Sequence, residues 1–159
     1  MAVSYRLKKR ELIFLLDRLG DINSLYQGFG FMYLDSEDCM NAAKGLADKG
    51  VLTIAGENIY LDRGFRYIIQ LVFCASCVAC DEEISLWIYW NDGVSLLIEP
   101  DSLSEGDYII TPLSCADDLE LKLSDDYPDS RFIIFASEKI RTDLPGLIGY
   151  LNKGMNKNE

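Results

Sequence analysis

The feature that most constrains this fold is a change in the spacing of apolar residues near residue 80. In the first half of the chain apolar residues recur at helical spacing, as in Leu12, Leu15, Leu16 and Leu19. From residue 84 onwards they occupy every second position, as in Ile84, Leu86, Ile88 and Trp90. Because helices and strands have these two different periods, the sequence predicts an α+β fold, with helices first and an antiparallel sheet second.

Three helices and a small hairpin are predicted before residue 80. The predicted elements are a helix at 8–19, a helix starting at Asp35, strands at 51–54 and 58–61, and a helix starting after Asp62. The side chains of Asp35 and Asp62 can cap the helices that follow them. Gly50 stands after the second helix, where a left-handed residue is favoured. This order of elements is typical of a winged-helix-like unit.

Winged-helix units often bind DNA. In such a unit, residues 44–49 would form the recognition helix and Asn58 would lie in the wing. A helix that reads DNA needs a basic stripe. The predicted helix instead mixes basic and acidic side chains, namely Lys44 and Lys49 with Glu37, Asp38 and Asp48. We therefore expect no nucleic-acid partner, and a regulator of this kind would act through protein contacts.

The second half of the chain predicts a three-stranded antiparallel meander. Its strands are expected at 84–90, 94–99 and 108–111, with a buried fourth strand at 131–136 and a short helix at 142–152. The Asn91-Asp92-Gly93 sequence favours a tight turn between the first two strands. The predicted architecture is therefore a three- to four-stranded antiparallel sheet with short C-terminal helices.

Residues 114–126 fit two different structures. Leu119, Leu121 and Leu123 alternate with polar residues, as on a strand. Leu119 and Leu123 also stand four residues apart, as on one face of a helix. We favour a helix, and the strand stays open as the alternative.

We predict a single domain at 1–159, with a winged-helix-like part at 1–80, an antiparallel sheet part at 81–150 and a frayed tail at 153–159. Residues 21–34, rich in glycine and aromatics, are predicted to form a connecting stretch with a short strand. The first ten residues lack a signal-peptide core, and no apolar run reaches the roughly 18 residues that cross a membrane. We therefore expect a cytoplasmic protein.

The absence of histidine narrows the catalytic options. It removes histidine-based triads and the commonest metal ligand. Gly28-Phe29-Gly30 lacks the rest of a phosphate-binding loop, and no serine stands in a nucleophile elbow. Paired carboxylates such as Asp117-Asp118 and Asp125-Asp126 lie in polar runs, which is typical of solvated surface. We predict a protein that is not an enzyme and uses no cofactor.

The negative charge of the chain is concentrated in its middle. The net charge is −11, and residues 81–129 carry fourteen acidic residues but a single basic one, Lys122. Such a surface repels phosphate backbones and attracts basic partners. A solubilising face and a docking surface for a basic protein are both compatible with this pattern.

Three of the five cysteines are spaced C-x2-C-x2-C, at Cys74, Cys77 and Cys80. This spacing suggests a zinc or iron–sulfur site. However, no fourth cysteine follows nearby, and the residues between them are small and apolar. Since free cysteine packs as a small hydrophobe, we favour a structural role, with metal binding and redox switching as the alternatives.

Large aromatic side chains crowd the strand beside the predicted tight turn. Trp87 and Tyr89 face opposite to Ile88 and Trp90, so both faces of this strand carry large apolar groups. Either both faces are covered within the fold, or one of them is an interface. The partner-binding residues of the second hypothesis are Trp87, Tyr89, Trp90, Asn91, Asp92 and Gly93.

The order of elements resembles one half of the EspG-like secretion-associated proteins of type VII secretion systems. The resemblance covers roughly residues 8–150, and its motifs are the Leu12–Gly20 run (LIFLLDRLG), the Gly45–Leu52 run (GLADKGVL) and Ile59–Asp62 (IYLD). It implies a cytosolic chaperone for helical-hairpin secretion substrates, with the hairpin at 87–93 facing the substrate. Because the family's usual two-part protein is about twice as long, the resemblance also implies a homodimer that pairs through the meander or its edge.

Three functions follow as alternatives. The leading one is a non-catalytic adaptor or chaperone that binds a helical secretion substrate. The second is an immunity protein that neutralises a basic toxin domain, aided by electrostatic attraction. The third is a winged-helix-like regulator that acts through protein contacts.

Overall fold

The structure is a computed structural model that describes residues 4–18 and 34–156. Its helices are α1 (Lys9–Arg18), α2 (Ser36–Asp48), α3 (Arg63–Phe73), α4 (Ala116–Asp126) and α5 (Leu144–Asn156). Its strands are β1 (Tyr5–Lys8), β2 (Leu52–Ala55), β3 (Asn58–Leu61), β4 (Cys77–Asp81), β5 (Trp87–Asn91), β6 (Val94–Pro100), β7 (Asp107–Leu113), β8 (Arg131–Phe135) and β9 (Lys139–Asp143).

The protein is α+β, but the predicted three- to four-stranded sheet is wrong. Seven strands form one antiparallel sheet in the order β1-β7-β6-β5-β4-β8-β9, and β2 and β3 form a separate two-stranded sheet. The short helices pack on both faces of the large sheet rather than forming an N-terminal part of their own. The meander is thus the centre of a larger sheet.

The sequence analysis did not predict three of the strands, and each omission has a physical reason. β1 has only four residues and runs directly into α1, so its alternation is too short to recognise. β4 continues the apolar run of α3, and a short apolar run does not distinguish helix from strand. β9 is mostly charged and lies partly within the predicted helix at 142–152, whereas α5 begins at Leu144.

The sheet separates two hydrophobic cores. On one face, α1, α2, α3 and the β2–β3 hairpin cover the side chains of Val78, Trp87, Tyr89, Leu96 and Ile98. On the other face, α4 and α5 cover Ile88, Trp90, Leu97, Phe132 and Ile134. Since successive residues of a strand point to opposite faces, β5 and β6 contribute to both cores.

α2 and α3 begin where the sequence predicts, and α2 also ends before the predicted Gly50, whereas the predicted end of the first helix at Leu19 lies outside the described residues. Asp35 and Asp38 form a reciprocal capping box at the start of α2, in which each side chain accepts a hydrogen bond from the other residue's backbone. Gly50 has a φ of +76° after α2 ends. The Asp62 carboxylate accepts hydrogen bonds from the backbone of Gly64 and Phe65 at the start of α3.

The β5–β6 turn and α4 also agree with the sequence analysis. Asp92 and Gly93 have φ values of +49° and +86°, as in a two-residue turn of type I′. Residues 116–126 are helical, and Leu119 and Leu123 are buried on one face of α4. The helix is therefore correct for this segment and the strand is not.

Several predicted boundaries shift in the structure. The boundary at 80/81 falls inside β4, and β1 belongs to the large sheet, so strands from residues 1–80 are built into the second part. α5 continues to Asn156 into the predicted tail at 153–159, of which residues 157–159 lie outside the described residues. The stretch predicted at 21–34 also lies outside them, apart from Leu34.

Candidate functional site

An apolar groove lies between α1, α2 and the β2–β3 hairpin. Its volume is about 520 Å³, and its lining residues are Phe14, Leu15, Cys39, Met40, Ala43, Leu52, Glu57, Asn58, Ile59 and Leu61. Polar side chains occur mainly at one end, where Glu57 and Asn58 stand at the turn of the hairpin. We call this feature the hairpin groove.

The register of the hairpin explains why one of its faces is apolar. Leu52 lies opposite Leu61 and Ile54 lies opposite Ile59, so these four side chains share the face that is turned towards the groove. A two-stranded sheet has no second layer of its own to cover such a face. The outer half of the face consequently stays open, with Ile54 and Ile59 exposed by 44% and 48%.

The α2 side of the groove is also open. Ala43 is buried, but Met40, one turn earlier, is 59% exposed. A single exposed apolar side chain is ordinary, whereas several around one groove form an exposed apolar patch. Met40, Ile54 and Ile59 form such a set, which the sequence analysis missed. The sequence contained a signal for this surface, because Ile54 and Ile59 lie opposite each other in a predicted hairpin that is too small to bury them.

An ion pair between a buried carboxylate and a partly exposed ammonium links the two helices of the groove. Glu11 of α1 is almost fully buried and pairs with Lys49, which follows α2. Its carboxylate also accepts a hydrogen bond of 2.9 Å from the backbone of Lys8, which caps the start of α1. Gly45 gives this carboxylate room, since a methyl group there would collide with it.

The aromatic hairpin predicted as a partner-binding region lies inside the protein. Trp87, Tyr89 and Trp90 are only 9%, 1% and 4% exposed. Trp87 and Tyr89 pack in the core beneath α1–α3, and Trp90 packs in the core beneath α4 and α5. The sequence analysis left two alternatives for β5, namely coverage of both its faces within the fold or one face as an interface. The structure matches the first alternative.

The turn of the same hairpin is the part that reaches the surface. Asp92 is exposed, Asn91 is half-buried and Gly93 is buried. A contact of this region with a partner would therefore involve the turn and not the aromatic rings.

The three spaced cysteines are not arranged as a metal site. Cys77 and Cys80 lie three residues apart on β4, so their side chains point to opposite faces of the sheet and enter different cores. Cys74 is exposed at the end of α3. No group of three or more potential metal ligands occurs in the described part of the chain.

Burial also makes two of these thiols unreactive. Desolvation raises the pKa of Cys77 to about 11. Desolvation, together with the negative charge of Asp81, also raises the pKa of Cys80. Because the thiolate is the reactive form, neither residue is suited to redox chemistry near neutral pH.

An acidic cleft of about 360 Å³ lies where the β4–β5 loop meets the α4–β8 turn. Its carboxylates come from Asp81, Glu82, Glu83, Asp126 and Asp129, with Arg131 as the basic lining residue. Ile84, Tyr127, Pro128 and Ser130 complete the walls. The sequence analysis placed these acids in the acidic middle of the chain, as a solubilising face or a docking surface, and only the fold brings them around one cleft.

Behind this cleft a buried carboxylate anchors α4 to the sheet. Glu99 of β6 accepts a hydrogen bond of 3.0 Å from the hydroxyl of Tyr127 and lies 3.5 Å from the Lys122 ammonium. Burial and the Glu99 charge raise the pKa of Tyr127. Burial lowers the pKa of Lys122, but bonding to Asp126 and attraction to Glu99 outweigh this effect and raise it.

Comparison of the chain with known protein families, curated proteins and solved structures finds no match. Among the described residues, no helix combines the length and the apolar character needed to cross a membrane.

Proposed function

We propose that this protein is a non-catalytic, cytoplasmic protein-binding module that holds an apolar helical segment of a partner in the hairpin groove. The observation that carries the proposal is the open apolar surface around the groove, formed by the lining residues Met40 and Ile59 and by Ile54, which lies opposite Ile59 in the hairpin. Covering this surface removes apolar area from water, which is the main driving force of most protein association.

The chemistry of the groove favours a helix over an extended peptide. A helix satisfies its own backbone hydrogen bonds, whereas an extended strand needs partners for its N–H and C=O groups. The walls offer mostly hydrocarbon, and the main hydrogen-bonding side chains, Glu57 and Asn58, stand together at one end. An amphipathic helix with its apolar face inwards fits these walls.

The resemblance to type VII secretion chaperones suggests the class of partner. Helical-hairpin secretion substrates present apolar helical surfaces that a cytosolic adaptor would cover before export. The charges of α2 and of Lys49, which follows it, support a protein partner over a nucleic acid, because Lys49 is already paired with Glu11 and α2 adds Glu37, Asp38 and Asp48.

Two neighbouring residues of β3 allow a matched test. Ile59 and Tyr60 are exposed to similar extents, 48% and 53%, but they point to opposite faces of the hairpin. Ile59→Glu places a carboxylate in the groove, and Tyr60→Glu places one outside it. The wild type and both variants are used as baits in lysate of the native host, and captured proteins are quantified by mass spectrometry.

We expect one helical partner to bind the wild type and Tyr60→Glu, and to be lost from Ile59→Glu. With the purified partner, calorimetry should give a loss of affinity of more than about ten-fold for Ile59→Glu, since the helix must then bury a carboxylate. A partner that binds all three baits equally would refute the role of the groove. Circular dichroism checks that both variants are folded.

The acidic cleft favours a second candidate, an immunity protein for a basic toxin domain. Five carboxylates around one cavity would attract and orient a basic surface. In that case the captured partner is a basic domain, its association rate falls steeply with added salt, and Ile59→Glu leaves binding unchanged. Glu83→Gln and Asp129→Asn would weaken binding instead.

A further inference from the structure

The large sheet has two edge strands, β1 and β9, and β9 is open to a further strand. The meander is paired on both sides, by β1 and by β4, so an edge-to-edge contact cannot use it. β9 pairs with β8 on its inner side, and no other described strand lies on its outer side. Its outward backbone groups are therefore available for hydrogen bonding.

Charged side chains usually protect an edge strand, but each cation of β9 also contacts a side chain of its own sheet. The Lys139 ammonium lies over the ring of Phe135 in β8, 5.8 Å from its centre. Arg141 pairs at 3.6 Å with Glu82, which follows β4 on the far side of β8. Neither contact involves the backbone of β9, and no strand of the described part of the chain covers its outer edge.

We propose that β9 pairs in antiparallel fashion with β9 of a second copy of this chain, about a two-fold axis through Arg141. This register pairs all five residues of the strand. Lys139 then faces Asp143 of the second copy, and Ile140 faces its Thr142. The two large sheets join into one continuous sheet.

The sequence of β9 selects a second copy as the occupant. Two Lys139–Asp143 pairs form in this register, because two-fold symmetry repeats each contact. The two Arg141 side chains meet near the axis, and each is paired with Glu82 of its own chain, which reduces their mutual repulsion. The other edge lacks this complementarity, since β1 carries Arg6 and Lys8 and no acidic residue.

The first test measures the association of the full chain by sedimentation equilibrium. We expect a reversible dimer at tens of micromolar. Lys139→Glu and Asp143→Lys should each weaken it by roughly ten-fold or more, since two attractive pairs become repulsive. The double variant Lys139→Glu/Asp143→Lys should recover the dimer, because each pair is then restored with its charges exchanged.

Thermal unfolding accompanies each measurement, because the Asp143 carboxylate also accepts a hydrogen bond from the backbone of Gly146 at the start of α5. Loss of this cap lowers the stability of both variants that carry Lys at position 143. It cannot explain recovery of the dimer in the double variant.

The second test is cross-linking through the axis. Facing residues of an antiparallel pair have Cα atoms about 4.5–5.5 Å apart, within reach of a disulfide. Arg141→Cys, in a background with Cys74→Ser and Cys115→Ser, should therefore form a covalent dimer under mild oxidation. Lys44→Cys in the same background is the control, since Lys44 is exposed on α2, which is not part of the large sheet.

A monomer at all concentrations would overturn the proposal. A dimer that is indifferent to the charge reversals, or that cross-links no better at position 141 than at position 44, would overturn it as well. Ile59→Glu should leave the dimer intact, so failure of the hairpin groove as a binding site and failure of β9 pairing are told apart.

Discussion

At the scale of single residues, Glu11 connects two elements that line the candidate site. It is buried, charged and shared between α1 and the end of α2 through Lys49. Burying a carboxylate costs free energy unless it is paired and hydrogen-bonded, and here the ammonium of Lys49 and the backbone N–H of Lys8 supply both. The pair therefore links the two helical walls of the groove.

A double-mutant cycle at Glu11 and Gly45 tests this contact. Gly45→Ala in the wild type gains helix propensity but pushes on the Glu11 carboxylate, so we expect little gain or a net loss of stability. In a Glu11→Ala background the collision is absent, and the same change should stabilise α2 by about 0.5–1 kcal/mol. Glu11→Ala alone should cost about 2–3 kcal/mol, within the range for a broken buried contact.

Urea denaturation of the four proteins gives the coupling energy. The double variant should be more stable than the two single changes predict by about 0.5 kcal/mol or more, because the two residues are in contact. Strict additivity would mean that Glu11 does not occupy the space beside Gly45. Lys44→Ala, at the neighbouring exposed position of α2, is the control for a change of helix propensity without the contact.

The β5–β6 hairpin is the element whose sequence and structure agree most closely. Its tight turn requires two consecutive residues with positive φ, and Asp92 and Gly93 supply them. The turn fixes the register, with Trp90 facing Ser95 and Trp87 facing Ile98. A slip by one residue would move every β5 side chain into the opposite core.

Substitutions at Asp92 test the turn. Asp92→Gly should leave stability unchanged within about 0.5 kcal/mol, since glycine adopts a φ of +49° without strain. Asp92→Val should cost about 1–2 kcal/mol, because a β-branched side chain is strained there. Thermal and urea unfolding measure both, and equal stability of the two variants would contradict the positive φ. Because Asp92 is exposed, lost packing is not a competing cause.

At the scale of the whole molecule, one sheet is the shared wall of two cores. Trp87 belongs to the core beneath α1–α3, and Trp90, three residues later, belongs to the core beneath α4 and α5. If the sheet unfolds, the apolar side chains of both cores become exposed. The two sides should therefore unfold together, although the sequence suggested an N-terminal helical part and a separate sheet part.

The two tryptophans are built-in probes of this coupling. Trp87→Phe leaves Trp90 to report on one core, and Trp90→Phe leaves Trp87 to report on the other. Within each variant, the urea transition followed by tryptophan fluorescence should coincide with the transition followed by far-ultraviolet circular dichroism. A fluorescence transition in either variant that precedes the loss of secondary structure would mean that the two sides unfold separately.

The sequence by itself determined the local features of this protein. Capping residues such as Asp35 and Asp62, the Asp92-Gly93 turn and the spacing of Leu119 and Leu123 act over a few residues. Their signals are therefore complete within a short window of sequence. Each of these predictions is confirmed.

Only the tertiary structure decided the size of the sheet and the place of the candidate site. β1, β4 and β9 become strands because distant strands supply their hydrogen bonds, and no short window contains that information. The aromatic side chains of β5 could pack in a core or bind a partner equally well, until helices from both ends of the chain covered them. The hairpin groove likewise forms only where α1, α2 and the β2–β3 hairpin meet. Whether the apolar side chains of this hairpin are exposed depends on which other elements pack against them.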